Sequence, residues 1–409
     1  MRRTPLTWAL YGSAGAWASF VYLTGPVAPV LAADLGVGEA SAGLVGTALA
    51  AGIATAAATG PPLAARLGRD GTVKLGLAVL AAAAAVLATI PRLMDGWPAF
   101  VLVLVVAWIA AIGGATGLNV ATARLSQLHP EDSGAAITEA NAVAAWTGLF
   151  SPLLLGAALS AGLGWWAGFA ICLAFTVIAF VALVMVGRRA PEPSVPDSHA
   201  HHTMAAADEL YERDEDVPAA AQTGKLPRAF WVVMVALFAA AASEFAINFW
   251  GSTLIVESTG ATTSAATASM SAIVAGLAVG RTVGPRVTAM LGAHRMLVVG
   301  FPLALVGFML LWTASSLPLA VVGLFVSGLG LATLFPLIID RGIAFSDGQP
   351  DLALARASLI LGIAIGGAPF LLGALGSVMS VATAMLLVPV LVILGLFGVL
   401  GSRPRSEQP

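Results

Sequence analysis

The sequence predicts an all-α membrane protein with twelve transmembrane helices in two pseudo-symmetric six-helix bundles. Three observations carry this: a composition that cannot make a water-exposed surface, twelve apolar runs of membrane-crossing length, and a second half that repeats parts of the first. Of the 409 residues, 59% are hydrophobic and only 10% charged, with a mean hydropathy of +0.94. A soluble domain carries about 25% charged residues. The net charge of −2 points to no strongly charged partner, and no nucleic acid is expected to bind. Cys172 is the only cysteine and lies in an apolar run, which rules out an intrachain disulfide and a Cys-based metal site.

A helix crosses the hydrocarbon in about 20 residues. Breaking the chain at its charged, Gly and Pro punctuation places spans at 7–33, 39–64, 73–91, 97–128, 133–161, 164–187, 228–257, 262–291, 295–315, 318–345, 351–377 and 380–401. The start, "MRRTPLTWALYGSAG", is basic but has no small-residue cleavage site after a short apolar core, so it reads as the lead-in to span 1. Lys and Arg set the orientation. With the N-terminus inside, the inner face holds Arg2, Arg3, Arg66, Arg69, Lys74, Arg188, Arg189, Lys225, Arg228, Arg286, Arg295, Arg403 and Arg405, and the outer loops hold only Arg92. Both termini are therefore expected in the cytoplasm, with the protein in the plasma (cell inner) membrane.

Residues 188–227 form one long polar stretch rich in Pro, Ala and charge, expected to be a flexible cytoplasmic linker between bundles 1–187 and 228–409. Its "HAHH" (His199, His201, His202) reads as solvated histidines, and no metal is expected. The halves are related. "AGIATAAATGPPLAARLGRD" (51–70) aligns without a gap on "AGLAVGRTVGPRVTAMLGAH" (275–294), so that Gly52, Gly60, Pro61, Leu67 and Gly68 meet Gly276, Gly284, Pro285, Leu291 and Gly292. "SPLLLGAAL" (151–159) matches "APFLLGALG" (368–376), a register that sets Arg124 against Arg341 and Glu139 against Arg356. Six spans duplicated to twelve is a transporter signature, with the solute site near the midplane between the halves.

Over essentially its full length the chain resembles the major facilitator superfamily. "GPPLAARLGRD" is similar to that family's signature loop Gly-x-x-x-Asp-Arg-x-Gly-Arg-Arg, with Arg66, Gly68 and Arg69 in place, Ala65 where the Asp belongs and Pro61 where the first Gly belongs. "GLGWWAGF" (162–169) resembles the family's opening of span 6. The resemblance implies that spans 1, 4, 7 and 10 line the cavity, and that spans 5 with 8 and 2 with 11 form the seam between halves.

Charges inside a membrane are costly and mark pathways. Glu244 interrupts "VVMVALFAAAASEFAINFW" on span 7, sixteen residues after Arg228, or about 24 Å along a helix, past the middle of a core of about 30 Å. Asn248 stands one turn further on the same face, flanked by Phe245, Phe249 and Trp250. Glu244 is read either as a proton-coupling or substrate-binding carboxylate, or as a hydrogen-bonded tie between span 7 and a neighbour. Further cavity candidates are Tyr11, Trp17 and Tyr22 on span 1, Trp108 and Asn119 on span 4, and Asn141 and Trp146 on span 5. Aromatics with scattered amides suit a carbohydrate or an amphipathic metabolite; the same aromatics also serve helix packing and interface belts. Nearer the cytoplasm lie Arg124, Glu139, Arg281, Asp340, Arg341 and Arg356. Given the implied seam, Glu139 with Arg281 is the expected inner gating pair, and Asp340 pairs with Arg356 or Arg341; the alternative is a static cluster.

No Gly-x-x-x-x-Gly-Lys-Ser/Thr loop and no Ser-His-Asp set is present, so neither ATP-driven pumping nor an enzyme is expected, and no cofactor. The expected function is secondary active transport of a small polar or sugar-like solute by alternating access, driven by a gradient, most simply of protons, by a monomer in the bilayer. "GLNVATARLSQL", "SEFAINFWGSTLI" and "GLAVGR" resemble the fucose-permease-like proteins, which the resemblance implies use carboxylates on spans 1 and 4. Here residues 7–33 and 97–128 hold no acid, which leaves that role to Glu244. The alternative is a drug–proton antiporter, since "GLFSPLLLG" (148–156) resembles those proteins' span 5 motif, although their span 4 arginine would fall near Ile109. A transporter-like sensor is the third reading.

Overall fold

The computed structural model describes residues 3–130, 132–187 and 225–402. Most of the expected linker, with its three histidines, lies outside the described residues. Apart from a 3₁₀ turn at Ile90–Arg92, the regular structure there is α-helix: α1 (Pro5–Asp34), α2 (Glu39–Thr89), α3 (Gly96–Leu128), α4 (Ser133–Ser160) and α5 (Trp166–Gly187), then α6 (Arg228–Thr259), α7 (Thr263–Ser269), α8 (Ser271–Leu291), α9 (Ala293–Trp312), α10 (Leu317–Leu331), α11 (Leu334–Ala344), α12 (Pro350–Gly376), α13 (Val381–Ala384) and α14 (Leu387–Gly401). Helix is what hydrocarbon demands, because each backbone N–H and C=O must be bonded within its own segment.

Eleven helical segments among the described residues are long and apolar enough to cross a membrane. One of them, α2, has 51 residues, more than twice the length of a crossing. It is broken at Gly68, where φ is 68° and ψ 167°, a region open essentially to glycine alone. Spans 2 and 3 are thus two crossings joined without a conventional loop, which makes twelve crossings among the described residues. Spans 8, 10 and 12 are each made of two helices, meeting at Met270, at Ala332–Thr333 and at Met385–Leu386.

The internal repeat extends to atomic contacts. Gly292, aligned with Gly68, adopts φ 82° and ψ 152° between α8 and α9. A β-carbon added at Gly52 would collide with the Trp108 carbonyl, and one at Gly276 with that of Phe325. Gly60 faces Thr116 as Gly284 faces Thr333, and Gly76 meets Gly113 and Gly117 as Gly300 meets Gly330 and Leu334. Every member of these pairs occupies the position that the sequence alignment assigns to it. Small residues let the backbones of spans 2 and 3 close on span 4, and those of 8 and 9 on span 10.

The chain forms two compact units. The first holds the residues up to Leu23 and those from Ala48 onward, with α3, α4 and α5 packed in sequence. In the second, α6 packs on α12 and α14, and α10 on α8 and α9. Its core includes Ala239, Ala241 and Ala242 of α6, Ala364 and Ala368 of α12, and Leu391 of α14. Residues Thr24–Thr47, the hairpin joining spans 1 and 2, belong to this second unit. The physical reason is close contact: Gly25 lies on the backbone of Asn248, Gly43 on Pro369 and Phe370, and Gly46 on Phe249 and Pro369. The Thr47 hydroxyl donates to the Gly366 carbonyl at 2.9 Å.

Candidate functional site

In the second unit Glu244 faces Arg281 of α8, with Oε1 3.9 Å from Nη2 and side chains 17% and 31% exposed. That separation is too long for a hydrogen bond. Two unit charges about 4 Å apart attract by about 4 kcal/mol at an effective dielectric near 20, and the desolvation of two ions is of similar size. The pair therefore contributes little net stability, and stability is a poor reason for its presence. Arg281, expected opposite Glu139, has Glu244 as a partner.

One turn beyond Glu244, Asn248 is only 4% exposed, and its Oδ1 is buried without a hydrogen-bond partner. A buried, unsatisfied acceptor costs about 1–3 kcal/mol. Trp250 is buried and its indole N–H donates to the Pro369 carbonyl at 3.0 Å, which ties α6 to α12. In the second unit Glu244, Asn248 and Trp250 thus lie within two helical turns of α6, and Arg281 faces the first of them.

The first unit engages Glu139 differently. The Arg3 guanidinium donates to both of its oxygens, from Nε at 2.8 Å and from Nη2, and the Tyr11 hydroxyl donates to it at 2.9 Å. The carboxylate's hydrogen bond and charge raise the pKa of Arg3 above its ordinary value. Beside this group the hydroxyl of Thr7 meets Nε2 of His129 at 2.9 Å. These contacts fasten the start of span 1 to the start of span 5 and the end of span 4.

At the signature loop Arg66 is exposed and Arg69 half-buried, with its Nη1 buried and without a hydrogen-bond partner. Arg124 donates from Nε to Asp70 Oδ1 at 3.1 Å. In the other unit Arg341, 5% exposed, lies with Nη2 3.2 Å from His294 Nδ1 and donates to the Val399 carbonyl at 3.3 Å. Asp70 and His294 share an alignment position, as do Arg124 and Arg341, so the repeat has kept the partnership while exchanging an acid for an imidazole. Asp340 and Arg356 are exposed.

The remaining candidates divide by burial. Trp17 and Tyr22 are each 8% exposed and pack on Gly114 and Gly148 respectively; the Trp17 ring also stacks on Phe20. Asn119 and Asn141 are exposed. Trp108 is exposed and its indole N–H donates to Thr55 Oγ1 at 3.3 Å. Sequence reasoning missed Arg3, Asp70 and His294 as partners. For Asp70 and His294 a signal existed, since both fall at one repeat position; for Arg3 there was none beyond proximity to span 1.

The family model of the Major Facilitator Superfamily matches residues 10–343. The chain belongs to the major facilitator superfamily. It is a secondary transporter and a multi-pass membrane protein. No curated protein sequence matches it. Among solved structures, a bacterial homolog of the human lysosomal transporter Spinster, inward-facing and occupied, is similar with a TM-score of 0.69 at 14% identity, over 97% of this chain and 95% of that one. The xylose transporter XylE of E. coli, in a partially occluded inward-open conformation, gives 0.71 at 12% identity, over 99% and 98%. A variant of the E. coli fucose:proton symporter FucP gives 0.61 at 15% identity, over 97% and 98%. At these identities the likeness is one of fold.

Proposed function

We propose that this major facilitator protein carries a small polar, sugar-like solute by alternating access, coupled to protons, with Glu244 as the coupling carboxylate. The observation that carries the reading is the Glu244–Arg281 pair in the apolar interior of the second unit: costly, weakly stabilising, and partly exposed on both sides. Asn248, with its orphan acceptor one turn away, supports a solute that donates a hydrogen bond. Asn119 and Asn141, exposed on spans 4 and 5, are the solute contacts of the first half, together with Trp108; Trp17 and Tyr22 hold the helices that carry them, and Trp250 holds the helix that carries Asn248. The bundles 1–187 and 228–409 are the halves that rock, except that the Thr24–Thr47 hairpin moves with the second. Glu139 and Arg124 in the first half, and Asp340, Arg341 and Arg356 in the second, change partners at the inner side as they do so, while Arg281 serves the Glu244 site. The carrier works as a monomer in the plasma membrane with both termini in the cytoplasm. FucP, a fucose:proton symporter by name, and XylE, a xylose transporter, support the solute class by analogy only.

The test is flux in proteoliposomes under an imposed proton gradient, with labelled sugars, small acids and lipophilic cations. Wild type is expected to accumulate a sugar or acid, and Glu244→Gln to lose accumulation while retaining exchange. Movement of lipophilic cations alone would give the efflux reading, and binding without flux the sensor reading. Undiminished accumulation by Glu244→Gln would remove that residue from the coupling role.

A further inference from the structure

We infer that Arg66, Arg69, Lys74 and Arg124 of the first unit bind a phosphate group, that of an anionic phospholipid headgroup. Charge imbalance is the first observation. Between Gly60 and Leu80 the chain carries Arg66, Arg69 and Lys74 against one acid, Asp70, and α3 adds Arg124 with no acid of its own. Arg124 takes Asp70, with Nε 3.1 Å from Oδ1. Arg69 has no such partner among the described residues: its Nη1 is buried without an acceptor, and burial and the Arg124 charge both bear against its cation. An unpaired, part-buried cation is costly, and a bound anion removes that cost.

The internal repeat shows that the fold does not need these extra cations. In register, Arg66, Arg69 and Lys74 correspond to Met290, Ala293 and Val298. Arg124 and Asp70 correspond to Arg341 and His294, which meet at 3.2 Å. The second unit thus keeps the contact and makes the same turn, at Gly292, without the three cations. Their presence in the first unit points to a partner outside the chain.

Position and surroundings select a lipid. The cations flank Gly68, the joint between the two crossings of α2, and so stand at headgroup depth; the distribution of Lys and Arg predicts the inner leaflet. Arg66 is exposed, and Arg69 and Lys74 are half-buried, so the cluster is open on one side. Gly68 leaves room beside them, since a β-carbon there would meet no atom within 4 Å. Leu67 and Leu75 are exposed next to the cations, apolar neighbours that acyl chains cover and a free phosphate does not. The two unprotonated oxygens of a phosphodiester accept from guanidinium forks and an ammonium together. Clusters of Lys and Arg at the ends of transmembrane helices hold anionic headgroups by this chemistry.

The experiment uses the full chain in mixed micelles, titrated with dioleoylphosphatidylglycerol, with dioleoylphosphatidylcholine and with inorganic phosphate. Native mass spectrometry counts the lipid retained, and melting reports the stabilisation that binding confers. Saturable retention of phosphatidylglycerol, with a rise in melting temperature that phosphatidylcholine does not give, is the expected result. Each cation at the membrane surface is worth about fivefold in affinity. Arg69→Gln should therefore weaken binding by about fivefold and Arg66→Gln/Arg69→Gln/Lys74→Gln by about 100-fold, whereas Arg69→Lys should retain most of it. Without phosphatidylglycerol, Arg69→Gln should melt no lower than wild type, because it removes a cation without a partner; lower melting there makes Arg69 structural and overturns the site. Arg286→Gln/Arg295→Gln removes exposed cations of the second unit and should leave the affinity unchanged. Equal losses in both sets, or undiminished binding by the triple variant, overturn the site. Inorganic phosphate that displaces the lipid and stabilises as well at equal concentration overturns the lipid as occupant.

Discussion

Substitution of Gly68 by alanine isolates a single physical effect. The residue joins spans 2 and 3 at φ 68° and ψ 167°, and a β-carbon there would meet no atom within 4 Å. Packing therefore contributes nothing, and the cost is backbone strain alone, about 1–3 kcal/mol. Gly292, its counterpart in the repeat, has φ 82° and equally open surroundings, so Gly292→Ala should cost a similar amount. The two lie in separate units, and the double variant should lose the sum, about 2–6 kcal/mol. Gly362 is the control: it is helical, and its β-carbon would also meet nothing within 4 Å. Gly362→Ala should stabilise by about 0.5–1 kcal/mol. The assay is reversible unfolding in mixed micelles, followed by tryptophan fluorescence. If Gly68→Ala unfolds with wild type while Gly362→Ala shifts as expected, the chain at Gly68 is not held in that conformation, and the division of α2 into two crossings must lie elsewhere.

Asn248→Leu removes a buried acceptor without a partner, so the variant should gain about 1 kcal/mol or more in the same unfolding assay while solute flux falls; a gain with undiminished flux would make Asn248 purely structural. His294→Asp would give Arg341 the acid that Arg124 has in Asp70. Because a carboxylate sets an opposite charge, and a bidentate acceptor, against the guanidinium, it should stabilise by about 1 kcal/mol, and Asp70→His should destabilise by a like amount. Equal melting of wild type and both variants would deny that the two contacts are equivalent.

Some of this protein was written along the chain and some was not. The crossings were legible because each must be apolar for about 20 residues whatever surrounds it, so α1, α3, α4, α5, α6 and α9 begin and end within a few residues of the apolar runs. Gly68 was legible too, as a glycine repeated at position 292, although its φ explains why no separate loop exists. The partners of the charges were not. Glu244 stood out because a carboxylate is conspicuous in an apolar run, yet that it faces Arg281 depends on how α6 and α8 are rotated about their axes. Apolar composition is nearly uniform around α6 and does not determine its rotation. Glu139 was assigned to the seam by resemblance, while the structure gives it to Arg3 and Tyr11, which the fold of span 1 brings 136 and 128 residues back along the chain. Local requirements of the bilayer, residue by residue, determined the number and length of the helices. Which polar side chains meet was decided only when small residues such as Gly52, Gly76, Gly276 and Gly300 fixed the helix contacts, because a rotation of one residue turns a side chain by about 100° and changes its partner.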